Sequence, residues 1–148
     1  MNIPDDQKLK MIRFMYWLGA VMDGLFAIDM TIITLLGTST PLLTEFFTHP
    51  SLVVDGGLPY RYAIGLGAAL MWGWTFLLIW ADRKPIERRG ILLITFFPVV
   101  VGIFLTTIWA ILIRMAAPSD FILRLLLMLF VPMPLLLISY YFAQGLKN

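Results

Sequence analysis

Two aspartates, Asp23 and Asp29, stand inside an apolar run that extends from about Phe14 to Leu36, in the stretch MDGLFAIDM. A carboxyl in such a run can hold a proton, bind a cation or accept a hydrogen bond from a neighbouring helix, because no water competes for it. A charged Asp at the centre of a membrane helix costs about 2.5–3.5 kcal/mol on insertion scales, so each needs a physical reason to be there. Six residues turn a helix by about 600°, which leaves the two acids roughly 120° apart and unable to form one tight carboxylate pair. Asp23 lies on a stripe of small residues, Ala20, Gly24 and Ala27. It is expected to act either as a neutral acid hydrogen-bonded across a helix contact or as a proton or cation site. Asp29 lies about 9 Å further along the helix, among Met22, Leu25, Phe26, Ile32 and Ile33.

The cations that could meet Asp29 are Arg61, Arg114 and Arg124, each near the end of a later apolar run. Their partners are expected among Asp29, Glu45, Asp55 and Asp120, unless they snorkel to headgroups. Planar guanidinium groups also bind phosphate, so an anionic lipid is a candidate ligand. Asp23, Asp29, Arg61, Arg114 and Arg124 therefore make up the candidate ion or ligand site. The absence of cysteine excludes disulfides, thiol catalysis and a cysteine-ligated cluster from this chain. The single histidine, His49, excludes bis-histidine haem ligation and a zinc triad of histidines. Neither a P-loop nor a G-x-S-x-G elbow is present. No cofactor, no metal and no catalysis are expected.

The elements that carry these residues follow from composition. Of 148 residues 60% are hydrophobic and 14% charged, against about 45–50% and 25% in a soluble domain; the mean hydropathy is +0.88. The apolar residues gather in four runs, about 14–36, 60–81, 91–113 and 125–143. Each has the roughly 20 residues that a helix needs to cross a hydrocarbon core of about 30 Å. The runs are continuous rather than alternating, which favours helices over a barrel. The expected fold is all-α: one transmembrane domain, an integral membrane four-helix bundle. Its first run is too long and too acidic for a signal peptide's apolar region, and is expected to stay as a membrane helix.

Basic residues set the orientation. Lys8, Lys10, Arg13, Arg83, Lys84, Arg88, Arg89 and Lys147 fall on one side and Arg61, Arg114 and Arg124 on the other, eight against three. The positive-inside rule then puts both termini in the cytoplasm and the 37–59 connection outside, in an inner (plasma) membrane. Tyr16, Trp17, Trp80, Tyr140 and Tyr141 fall at the inner interface, as aromatic belts do. The net charge of +2 is dispersed around helix ends, so no nucleic acid is expected as a partner. The turn ADRKPIERRG is expected to meet anionic headgroups, with Asp82, Arg83, Glu87 and Arg88 pairing among themselves.

In the second run Gly65, Ala69 and Gly73 recur every four residues, a pattern that lets helix backbones approach closely. The first two helices are accordingly expected to pack as an antiparallel pair with Asp23 inside the contact. Pro98, Pro132 and Pro134 are expected to kink the third and fourth helices. The first ten residues are polar and are expected to be mobile or to lie at the inner surface. In the outer connection, PLLTEFF is expected as a short interfacial helix. The leading expectation for function is a small polytopic protein in the lipid bilayer, a homo-oligomer or a part of a larger membrane complex. The alternatives are a proton- or cation-coupled transporter using Asp23 and Asp29, and, further off, a lipid-modifying membrane enzyme.

Overall fold

A computed structural model describes residues 4–37, 57–112 and 130–146. Among these residues the chain is helical, with no strand. In chain order the elements are α1 (Asp5–Leu36), α2 (Gly57–Asp82), α3 (Gly90–Ile94), a π turn (Thr95–Val100), α4 (Val101–Leu112) and α5 (Pro132–Gly145). Two of them, α1 with 32 residues and α2 with 26, are long and apolar enough to cross a membrane.

The helix α1 starts earlier than the apolar pattern suggested. The carbonyl of Pro4 accepts from the amides of Gln7 and Lys8 at 3.0 and 3.1 Å. Asp5 and Asp6 in the first turn complement the positive end of the helix dipole. Each acid also pairs with a lysine one turn later, Asp5 with Lys8 at 2.8 Å and Asp6 with Lys10 at 2.7 Å. The polar opening residues are therefore helical from Asp5 onward. At its other end α1 closes on Gly37, whose φ of 73° suits a residue without a β-carbon. The Gly37 amide donates to the Ile33 carbonyl at 2.9 Å.

The third apolar run is kinked at Pro98, as expected, and the kink divides it into two helices. Pro98 lacks the amide that an α-helix needs and disfavours the helical region for the residue before it. Phe97 accordingly sits at φ −130°, ψ 106°, inside a segment with the wider π-type bonding, between α3 and α4. In the fourth run Pro132 and Pro134 stand at the start of α5, and the part of the run before Phe130 lies outside the described residues. Both prolines lie in the first turn, where a missing amide leaves no bond unmade.

The chain groups into two compact units, Trp17–Trp80 and Met1–Tyr16 with Ala81–Asn148. In the first, α1 and α2 pair as an antiparallel hairpin. A methyl placed on Gly19 would lie 3.0 Å from Leu78 Cδ1, one on Gly24 3.6 Å from Thr75 Cγ2, one on Gly67 3.0 Å from Met30 Cε and one on Gly65 3.0 Å from Thr34 Cγ2. Positions thus rise along α1 as they fall along α2. Ala20, Ala27, Ile33, Ala68, Thr75 and Leu78 are buried in this unit.

In the second unit, Ile12, Tyr16, Leu92, Leu136 and Ala143 are among the buried residues. Both α3 and the π turn pack on α5. The connection 37–59, apart from its first and last residues, lies outside the described residues, and with it the expected PLLTEFF helix.

Candidate functional site

The two aspartates differ in their surroundings. Asp29 is 3% exposed, within electrostatic reach of Tyr60 on the facing helix. Asp23 is half-buried. Among the described residues no hydrogen bond or ion pair reaches its carboxyl, and burial is what distinguishes its surroundings.

The hairpin brings polar side chains of both helices to the level of these acids. Thr31 Oγ1 donates to the Ala27 carbonyl at 2.6 Å and accepts from the Trp72 indole nitrogen at 3.2 Å. Trp72 in turn stacks on Phe76 with ring centroids 5.9 Å apart. Thr75 is buried and donates to the Met71 carbonyl at 2.9 Å, the back-bond by which a helix absorbs a hydroxyl. Trp74, two residues from Trp72, presents a buried indole nitrogen with no hydrogen-bond partner among the described residues.

At the far end of the hairpin Arg61 closes α1. Its Nε and NH2 donate to the Thr34 carbonyl at 3.0 and 2.7 Å, and NH2 also donates to the Leu35 carbonyl at 2.8 Å. The last carbonyls of a helix have no partner of their own and carry its negative dipole end, so a guanidinium there satisfies both needs. The sequence put the partner of Arg61 among Asp29, Glu45, Asp55 and Asp120, or in headgroups or another anion; its bonds among the described residues go to backbone. Arg114, Arg124, Glu45, Asp55, Asp120 and His49 lie outside the described residues.

Of the expected small-residue stripe, Gly65 lies against Thr34, whereas Ala69 and Gly73 are exposed, and among the described residues nothing stands within 4 Å of a methyl on Gly73. A strict four-residue repeat turns 400° per step and drifts about 40° off a straight seam each time. The contact instead follows Gly67, Ala68, Thr75 and Leu78.

The other unit holds the polar pairs that the sequence reading missed. Arg13 grips Asp82 with two bonds, Nε to Oδ1 at 2.9 Å and NH2 to Oδ2 at 3.0 Å. Within the turn that follows, Lys84 pairs with Glu87 at 2.9 Å. Tyr16, fully buried, donates to the carbonyl of Arg88 at 3.0 Å, with that of Pro85 at 3.4 Å. Arg89 NH1 donates to the Ala143 carbonyl near the end of α5 at 2.9 Å. The signal for Arg13 and Asp82 was available: antiparallel neighbours bring the start of one helix to the end of the next.

A recess of about 590 Å³ in this unit is lined by Asp5, Asp6, Leu9, Ile86, Gly145 and Leu146. Its two acids already hold Lys8 and Lys10. Among the described residues no three histidine, cysteine or acidic side chains come together as a metal site would require. No protein family, curated protein or solved structure matches this chain.

Proposed function

We propose that this chain is a small multi-pass protein of an inner (plasma) membrane, without catalysis of its own, that works as an oligomeric or accessory membrane subunit. Its four spans, about 14–36, 60–81, 91–113 and 125–143, form a bundle with both ends of the sequence on the cytoplasmic side and the 37–59 connection outside. The exposed apolar surface supports residence in lipid. Core helices of a soluble protein hide their large side chains, but Leu70 is 74% exposed, Leu36 71% and Tyr62 70%.

The observation that carries the subunit reading is how the charged and hydroxyl groups at the helix ends are used. Arg13 on Asp82, Tyr16 on Arg88, Arg61 on Thr34 and Leu35, and Arg89 on Ala143 all join this chain's own elements. They build a scaffold rather than converge on a reacting centre.

The test is the mass and company of the full chain extracted from its own membrane into lipid nanodiscs. Assemblies of more than one chain, or a constant co-purifying membrane protein, are expected. A solitary chain under those conditions sinks the reading. Orientation is read by single cysteines in this cysteine-free chain: Ser39→Cys and Ser51→Cys label from outside with an impermeant reagent, and Ile86→Cys does not.

One observation favours a second reading, proton- or cation-coupled transport. The half-buried Asp23 carboxyl has no partner among the described residues, and intramembrane acids of this kind mark ion paths. A proton-linked flux in proteoliposomes that Asp23→Asn abolishes would put transport ahead of the subunit.

A further inference from the structure

Two polar groups in the α1–α2 hairpin have no hydrogen-bond partner among the described residues, and they have opposite needs. The Asp23 carboxyl is an acceptor, and the buried Trp74 indole N–H is a donor and nothing else. The register of the hairpin sets positions 23 and 74 at one level of the seam. Gly19 meets Leu78 and Met30 meets Gly67, which fixes one seam between the helices. One turn on from Gly19 is Asp23, and one turn back from Leu78 is Trp74. Beside them Gly24 meets Thr75, whose hydroxyl proton is directed to the Met71 carbonyl and whose oxygen keeps a free lone pair.

A group that satisfies both must accept from the indole and donate to the carboxyl. An ammonium or a metal ion answers the acid but has no lone pair for the N–H. An anion answers the N–H but meets the acid as an unfavourable neighbour. A hydroxyl does both with one atom, and a second proton, where there is one, finds the Thr75 oxygen. Buried waters sit where two to four such partners converge.

We propose that Asp23 and Trp74 hold a hydroxyl group between them in the α1–α2 seam, supplied by water or by the head of a membrane-soluble alcohol. The inference stands apart from the subunit reading, because it concerns the interior of one hairpin and is read at any oligomeric state.

The experiment uses the full chain, labelled with 15N-tryptophan, in phosphatidylcholine nanodiscs. The Trp74 indole signal is identified by its loss in Trp74→Phe, and the Trp72 signal, held by Thr31, serves as the internal reference. The expected result is magnetisation transfer from water to the Trp74 indole proton but not to that of Trp72. Titration with decanol decides the source. If the water contact persists unchanged, the occupant is water; if it is replaced by a saturable shift of the Trp74 signal, the site takes an alcohol. In Asp23→Ala the contact is lost while the Trp72 signal stays in place. The proposal is overturned if the wild-type Trp74 indole shows neither water nor alcohol contact, whether its signal ignores Asp23→Ala or follows it. The latter outcome would mean a direct bond between the two side chains. The wild-type measurement alone decides this, so a variant that fails to fold does not protect the idea.

Discussion

Arg13 and Asp82 meet as a fork on a carboxylate, two parallel hydrogen bonds of 2.9 and 3.0 Å between residues 69 positions apart. The two partners are not equally exposed: the arginine side chain is 56% open and the aspartate 10%. Removing the arginine takes two bonds from a mostly buried carboxylate, while removing the acid frees a cation that can turn to solvent. Arg13→Gln should therefore lower the melting temperature in detergent more than Asp82→Asn does. The reverse order would show that the fork matters for the arginine's position and not for the acid's burial. Arg13→Lys should behave nearer to Arg13→Gln than to the parent, since an ammonium cannot form both bonds in one plane.

Arg61 offers the same contrast at the other end of α1. Charge-assisted bonds to otherwise unpaired carbonyls are worth about 1.5–3 kcal/mol each when broken in a buried setting. Arg61 is only half-buried, so Arg61→Gln is expected to cost about 1–2 kcal/mol in all. Hydrogen exchange should report where: the Gly37 amide, bonded to Ile33, should lose protection while amides near Asp23 keep theirs. Uniform loss along α1 would contradict a role confined to the helix end.

Close packing is tested by glycines on one helix. Gly65→Leu drives a side chain into Thr34 and should cost about 1–3 kcal/mol. Gly73→Leu and Ala69→Leu meet open surface and should stay within about 0.5 kcal/mol of the parent. Equal effects from all three would show that Ala69 and Gly73 are covered in the working protein.

The two aspartates should separate on the same assay. Asp29, 3% exposed, sits where any lost partner leaves a buried group unsatisfied. Asp29→Ala is expected to cost about 1–3 kcal/mol. Asp23→Asn keeps shape and hydrogen-bonding capacity and should melt close to the parent. A larger loss from Asp23→Asn than from Asp29→Ala would reverse the roles assigned to them.

How far these relationships could be read from sequence depends on their range along the chain. The apolar run 60–81 lies within a helix that spans Gly57–Asp82, because twenty apolar residues with glycine and proline before them define their own limits. The start of α1 was set too late, since Asp5 and Asp6 read as polar tail rather than as acids one turn before Lys8 and Lys10. Proline marked the places where the third and fourth runs change, but not that Phe97 would leave the helix or that Pro132 would begin one. Rotation of one helix about its axis was the least legible quantity. Composition places small residues on α2, and only a partner's position decides that Gly65 is inside and Gly73 outside.

The bond from Arg61 to Thr34 joins residues 27 apart, and it has a consequence for how the chain is made. As α1 leaves the ribosome the carbonyls of Thr34 and Leu35 lack the guanidinium that holds them, until Arg61 has been synthesised. The first segment is therefore an unfinished article on its own, its far end still in need of water. On the reading of α1 and α2 as membrane spans, the pair is a single unit of insertion, sealed only when the second segment reaches the first. A chain cut after Gly37 should enter the bilayer less completely than one cut after Asp82.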